Sequence, residues 1–216
     1  METVETSATG ETRSINELNL QLAVGILNRA GIPFWLDQGT LLGVVRDANL
    51  LPWDKDIDLS VWEEEFPRIL GLKSEFESAG FYFEPHEEGD CLFLSRDDGY
   101  FVDIARYRRL DNVAQRFIGK PKVKPWQRRL KKILQLLPAW VHIRVRHMSR
   151  IVLRGEMISM QVPLQMFSSF RELDFMGLKL RIPQDSEAYL QYKYGDWRTP
   201  VKVWDYSKQD GGVVKN

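Results

Sequence analysis

The chain is poor in everything that would staple, anchor or export it. Cysteine occurs once in 216 residues, at Cys91, so no disulfide framework can form. Cys91 and the three scattered histidines, His86, His142 and His147, lack the spacing of a structural zinc site. Cys91 reads instead as a small packed core residue. No stretch approaches the roughly 18 apolar residues that a membrane span needs. The opening METVETSATGETRS has no basic region followed by an apolar one, so neither a signal peptide nor an anchor is expected there. An excess of either charge is also missing, with 30 basic against 30 acidic residues. No internal repeat is visible. These absences predict a cytoplasmic protein, and the 44% apolar content is enough for a sizeable core.

The balanced charge hides an asymmetry. From Ile104 to Gly155 there are fifteen Lys or Arg and one acid, Asp111. The stretch WQRRLKKILQLLPAWVHIRVRHMSRIVLR is basic and amphipathic, interrupted by Pro138, and predicts a helical insertion over 108–160. Peripheral contact of 108–154 with an anionic membrane leaflet is one reading. Grip on an anionic polymer is another, and a solvated cationic face on packed helices is the third.

Elsewhere the pattern alternates between helix and strand. Ser14-Ile-Asn-Glu17 has the form of a capping box. Ile15, Leu18, Leu22 and Ile26 follow at helical spacing, with Gly31 as a stop, so 14–30 predicts a helix. A short strand is expected over 32–37, a Gly39-Thr40 turn, helical turns over 40–46, and a strand over 56–62. Residues 63–79 read as helix weakened by Pro67 and Gly71. Strands are expected over 81–85, 91–96 and 100–107, the last two as a hairpin. A second hairpin turns near Met176-Gly177, and a capped helix over 184–197 stops at Gly195. Two flexible tails, 1–13 and 208–216, flank a single domain over 14–207.

The informative stretch is PWDKDIDLSVW, which places Asp54, Asp56 and Asp58 at alternate positions with Ile57, Leu59 and Val61 around them. On a strand, residues two apart share a face, so Asp56 and Asp58 project together while the apolar residues enter the core. Paired like charges in a half-buried site repel, and a divalent cation between them relieves the strain. All-oxygen ligation without nearby His or Cys favours Mg²⁺ or Mn²⁺ over zinc. The bland alternative is a solvated polar strand face. An EF-hand loop fits the acids' spacing, but Leu59 stands where glycine is required. Asp103, inside the apolar YFVDIARY, is a second buried acid needing a partner. If its strand lies beside the first, three carboxylates converge; the alternative is a pair with Arg106. Gly39 and Thr40 lead into a helix and offer backbone amides to a phosphate, and Arg46 offers a bidentate guanidinium. Trp53 either stacks on a base or packs. Tyr194 and Trp197 either wall the cleft or pack in the core.

Together, GTLLGVVRDANLLPWDKDIDL over 39–59 resembles the signature of the LicD/fukutin family, G-T-L-L-G-x-x-R, a loop, then P-W-D-x-D-I-D. VDIARY is similar to the family's later acid-bearing strand. YLQYKYGDWRTP over 189–200 resembles its Y-G-x-W-x-x-P element through Tyr194, Gly195, Trp197 and Pro200. The resemblance implies an α+β, nucleotidyltransferase-like mixed sheet flanked by helices, with the basic insertion and a small C-terminal hairpin-helix element. It also implies transfer of a phospho-alcohol group, phosphocholine or alditol phosphate, from a CDP-linked donor to a hydroxyl of a cell-surface or lipid-linked glycan. Asp56, Asp58 and Asp103 would be the catalytic and metal residues, and Gly39, Thr40, Arg46, Trp53, Tyr194 and Trp197 would bind the donor. One departure is the absence of the cysteines for the zinc site of the animal fukutin-related protein. Two rival functions stand beside this expectation. One is NMP transfer from an NTP to RNA, protein or a small molecule, although nucleic acid is not the expected partner. The other is a non-catalytic scaffold of the same fold.

Overall fold

The computed structural model of the chain describes residues 5–86, 90–96, 99–120 and 156–214. The first helix, α1 (Glu5–Arg29), begins well before the Ser14 capping box, inside the segment 1–13 expected as a tail. Its buried face keeps Ile26 and part of Leu22 from the expected stripe but not Leu18, which is exposed, and adds Leu20, Ala23, Val24 and Leu27 together with Asn16 and Asn19.

β1 (Trp35–Leu36) leads into α2 (Gln38–Asp47) and then β2 (Asp56–Trp62), the strand the alternation marks. Residues 63–79 break as Pro67 and Gly71 suggest, into a 3-10 turn, α3 (Phe66–Leu70) and α4 (Lys73–Ser78). Next come β3 (Tyr82–His86), β4 (Cys91–Ser95) and β5 (Phe101–Leu110). β6 (Val113–Lys120) and β7 (Glu156–Pro163) follow. The two ends of the expected helical insertion are therefore strand. Its central part, 121–155, and with it most of the expected membrane contact, lies outside the described residues. The C-terminal part comprises β8 (Phe170–Phe175), β9 (Leu178–Pro183), α5 (Ser186–Tyr194) and α6 (Tyr206–Gln209). The β8–β9 turn uses Met176 and Gly177, both at positive φ, as a two-residue hairpin turn requires.

The main sheet has seven strands, in the order β1-β2-β5-β4-β3, with β6 and β7 added along the end of β5. β2 and β5 are parallel, and the other neighbours are antiparallel. Register fixes what each face carries. Ile57 pairs with Val102 and Leu59 with Ile104, and these side chains meet α1, which lies against β2 and β5. The alternate positions, Asp58 with Asp103 and Ser60 with Ala105, occupy the opposite face. Along that face the chemistry grades from acid to aromatic. Beyond Ser60 lies Trp62, packed with Trp35 and Phe167.

The basic stretch enters the fold as structure where it is described. Arg106 and Arg108 both pair with buried Asp90, which also accepts the Phe117 amide. Arg109 pairs with Glu64, and Arg116 is buried. Three of these four cations are held in ion pairs, and the fourth is buried. Part of the segment 208–216, expected as a tail, makes contacts with the rest of the fold. Val213 bridges to Met160, the Gln161 amide donates to the Gly212 carbonyl, and Asp210 is buried against Lys193. Gly211 is required here, since a Cβ would lie 2.0 Å from the Tyr192 carbonyl oxygen. No helix among the described residues is long and apolar enough to cross a membrane.

Candidate active site

The chain leaves β1 at Asp37, which caps α2. Its Oδ1 accepts the Gln38 amide at 2.7 Å. The first turn of α2 then faces β2. The Gly39 and Thr40 amides donate to Asp58 Oδ2 at 3.0 and 3.4 Å, and Gln38 Nε2 donates to Asp58 Oδ1 at 3.2 Å. The Asp58 amide in turn donates to Thr40 Oγ1 at 2.8 Å. The amides expected to cradle phosphate thus hold the carboxylate of Asp58, for the reason they suit any anion: unpaired N–H groups and the positive end of a helix. Gly39 is needed for this approach, because a Cβ there would stand 2.5 Å from Asp54 Oδ2.

Asp54, Asp56 and Asp58 each bring a carboxylate oxygen within 4.8 Å of the other two. Asp103, expected as the third acid, lies outside this group. It is Asp58's register partner on β5, and the third place is taken by Asp54, the acid to which the sequence assigns no firm role. Burial first, then Asp58, Asp54 and Asp103, push the Asp56 carboxyl up to about 10. Burial and the charges of Asp54, Asp103 and Asp37 likewise push Asp58 well above the ordinary carboxylate range, against the pull of Arg116. Burial raises Asp103 to about 6, with Arg116 opposing and Asp37 adding. The alternative partner of Asp103, Arg106, is engaged by Asp90 instead, and Asp103 Oδ1 is buried without a hydrogen-bond partner. This set of hard oxygen donors, crowded and under-compensated, could hold a metal ion.

The acids form the floor of a cleft of about 310 Å³. The acid loop and α2 supply one side, with Gln38, Arg46 and Trp53. The end of α5 and the segment after it supply the other, with Tyr194, Trp197, Lys202 and Trp204. Arg46 is braced by Asp47 at 2.8 Å and donates to the Trp197 carbonyl at 3.3 Å, which ties the two sides together. Trp53 is partly exposed and faces Lys202, whose Nζ lies 5.9 Å from the ring centroid. Trp197 is buried, and the Tyr194 ring packs edge-on to Trp204. The sequence expectations at Arg46, Trp53, Tyr194 and Trp197 therefore all fall on the cleft wall.

Behind the cleft lies a set of residues that the sequence reading missed. Asp37 is fully buried and accepts from four donors: the Gln38 amide, the Tyr189 hydroxyl at 2.5 Å, the Ser60 hydroxyl at 2.7 Å and the Tyr107 hydroxyl at 3.2 Å. Burial alone would raise its proton affinity, but Lys193, Arg116 and the Tyr189 and Ser60 hydrogen bonds bring it below the ordinary range. Lys193 itself pairs with Asp210 at 2.5 Å, both side chains 2% exposed. The one local signal is Asp37's position just before a helix, where an acid caps well; nothing local points to Arg116, Lys193 or Asp210.

A LicD/FKTN/FKRP nucleotidyltransferase domain profile matches residues 31–185. The ribitol-5-phosphate transferase FKTN of Homo sapiens is 28% identical over 211 residues, covering 94% of this chain and 37% of that protein. The ribitol 5-phosphate transferase FKRP of Mus musculus is 38% identical over 88 residues, covering 38% of this chain and 18% of that protein. The chain thus spans little more than a third of the first of these relatives. Among solved structures, the lincosamide antibiotic adenylyltransferase LnuA, lincomycin-bound, aligns with 82% of this chain and 85% of its own at 15% identity and a TM-score of 0.46.

Proposed function

The chain belongs to the LicD/FKTN/FKRP nucleotidyltransferase-domain family, and on that footing we propose that it moves a phospho-alcohol group, phosphocholine or an alditol phosphate, from a CDP-linked donor to a hydroxyl of a glycan. The observation that carries this reading is the meeting of Asp54, Asp56 and Asp58 on the floor of a cleft walled by aromatic rings and by Arg46 and Lys202. Such a cleft suits a diphosphate joined to a planar base.

In the proposed reaction, the acceptor hydroxyl oxygen bonds to the phosphorus bearing the alcohol. The bond from that phosphorus to the oxygen of the cytidine monophosphate half breaks, and CMP leaves with the electron pair. The hydroxyl proton passes to water at the open mouth of the cleft. Phosphoryl transfer needs positioning and charge neutralisation more than covalent assistance. Asp54, Asp56 and Asp58 would hold Mg²⁺ or Mn²⁺, which when bound neutralises charge on the donor diphosphate. Arg46, braced by Asp47 and the Trp197 carbonyl, adds a fixed cation for phosphate oxygens. Trp53 offers a partly exposed ring face for the base, and Tyr194 and Trp197 close the opposite wall. Gly39 and Thr40 act through Asp58 rather than on phosphate directly. Asp103 adds negative charge behind Asp58 and strengthens the site's preference for a cation.

The test is product analysis. Purified protein is incubated with Mg²⁺, a glycan acceptor and, in turn, CDP-choline, CDP-ribitol and CDP-glycerol. Release of CMP with phosphorylation of the glycan is expected with one of them. Pyrophosphate released from an NTP, with no CMP from any CDP-linked donor, would replace this reading with nucleotidyl transfer.

A further inference from the structure

The family match ends at residue 185, yet the hydrogen bonds that hold Asp58 run back to residues beyond it. Asp58's carboxylate is fixed by Gln38, Gly39 and Thr40, the first three residues of α2. That turn begins in a strained conformation, since Gln38 sits at φ 46, in the left-handed region, without being glycine. A non-glycine residue persists there only where its surroundings over-determine it. The group that does so is Asp37, bonded to the Gln38 amide on one side and to Tyr189 of α5 on the other through the same oxygen. One turn further along α5, Lys193 supplies a counter-charge to Asp37 and is itself clamped by Asp210.

We propose that Asp37 and Tyr189 are positioning residues for the reaction centre, so that the C-terminal segment fixes the geometry of Asp58. The relay runs from the Tyr189 hydroxyl to Asp37 Oδ1, from Asp37 to the start of α2, and from the first amides of α2 to the Asp58 carboxylate. Asp37 and Tyr189 are both fully buried, and neither lines the cleft. The inference rests on the phosphotransferase reading only for what Asp58 does, not for how Asp58 is held.

The experiment compares the full-length chain with Tyr189→Phe and with Tyr192→Phe as a control. The Tyr192 hydroxyl donates to the Gln161 carbonyl, outside the relay. The first readout is amide hydrogen exchange by NMR. In Y189F the Gly39 and Thr40 amides should exchange on the order of tenfold faster, while the amides of β2 and β5 keep their protection. Y192F should leave Gly39 and Thr40 as they are. The second readout is kinetic: kcat should fall on the order of tenfold in Y189F with the donor KM within about twofold. Unchanged exchange at Gly39 and Thr40 in Y189F overturns the proposal whatever the activity. If wild-type protein releases no CMP from any CDP-linked donor, the phosphotransferase reading fails, and the exchange readout still decides the relay. Should Y189F fail to fold, Ser60→Ala removes the 2.7 Å bond to the other oxygen of Asp37 and is read by the same exchange measurement.

Discussion

The two faces of the central sheet are held by different physics. On one, Ile57, Leu59, Val102 and Ile104 lie fully buried beneath α1. On the other, fully or largely buried Asp58, Ser60, Tyr107 and Asp37 meet Arg116, Tyr189 and Lys193. The apolar face is stabilised by area removed from water, which is non-directional and tolerant of small changes in shape. The polar face depends on directed bonds between groups that are costly to bury unpaired. The same β2 residues alternate between the two, so each side chain belongs wholly to one regime. The candidate active site stands on the face where geometry is enforced one bond at a time. There a small displacement has a chemical consequence, whereas on the apolar face it has only a packing one.

The sharpest way to break this contrast is to neutralise one acid. Asp58→Asn should lower turnover on the order of 10³-fold while the circular dichroism spectrum stays that of the wild type. Its Tm should hold or rise, because the crowding that pushes the Asp58 carboxyl well above its ordinary range is relieved. Full activity in this variant would remove the acids from the mechanism. The next effect is structural. Lys193→Met leaves Asp210 buried without its counter-charge and should cost about 3–5 kcal/mol by denaturant unfolding. Lys193→Met combined with Asp210→Leu should recover most of that loss, and a double variant as unstable as the single one would show that packing, not charge, fails there.

The acids also give the polar face a pH dependence that the apolar face lacks. Asp56 is raised to about 10 and Asp103 to about 6 from the ordinary 3.8. The folded metal-free protein therefore keeps protons that the unfolded chain has released. Its stability from these two groups is full below the unfolded value and is lost as pH rises, through about 6 for Asp103 and towards about 10 for Asp56. Asp37, shifted down, acts in the opposite sense and only in acid. The Tm in EDTA should thus fall from pH 5 to pH 9, and saturating Mg²⁺ should flatten that slope. A Tm in EDTA that rises over this range would contradict the crowding of the acids. The smallest effect belongs to the other face: Ile57→Val should cost about 0.5–1.5 kcal/mol by denaturant unfolding and leave kcat unchanged. A loss of turnover there would mean that the two faces are not independent.

Much of this was legible along the chain. The alternation of Asp56 to Trp62 marks β2 to its exact ends. Met176-Gly177 marks the second hairpin, and Gly195 marks the stop of α5. The GTLLGVVR and PWDKDID elements foretell a cleft containing Arg46, Trp53 and the acids. Other features carry no local signal. Leu18 reads as core by spacing but faces water, because the burying partner of a helix is set by what packs on it. Lys193, Arg116 and Asp210 look like ordinary surface charges. The KQDGG stretch looks like a frayed end until Asp210 finds Lys193.

Local pattern was enough to write the strand that presents the acids, the helix start beside it and the kind of chemistry that alternating carboxylates serve. Periodicity and turn residues act over a few neighbours, and a few neighbours are enough to write them. Folding settled which acids meet. It brought Asp54 together with Asp56 and Asp58, set Asp103 beside Asp58 on β5, turned the Gly39 and Thr40 amides onto Asp58, and joined Asp37 to Tyr189 across 152 residues. A buried charge is tolerable only beside its partners, and where those partners stand is a property of the packed chain.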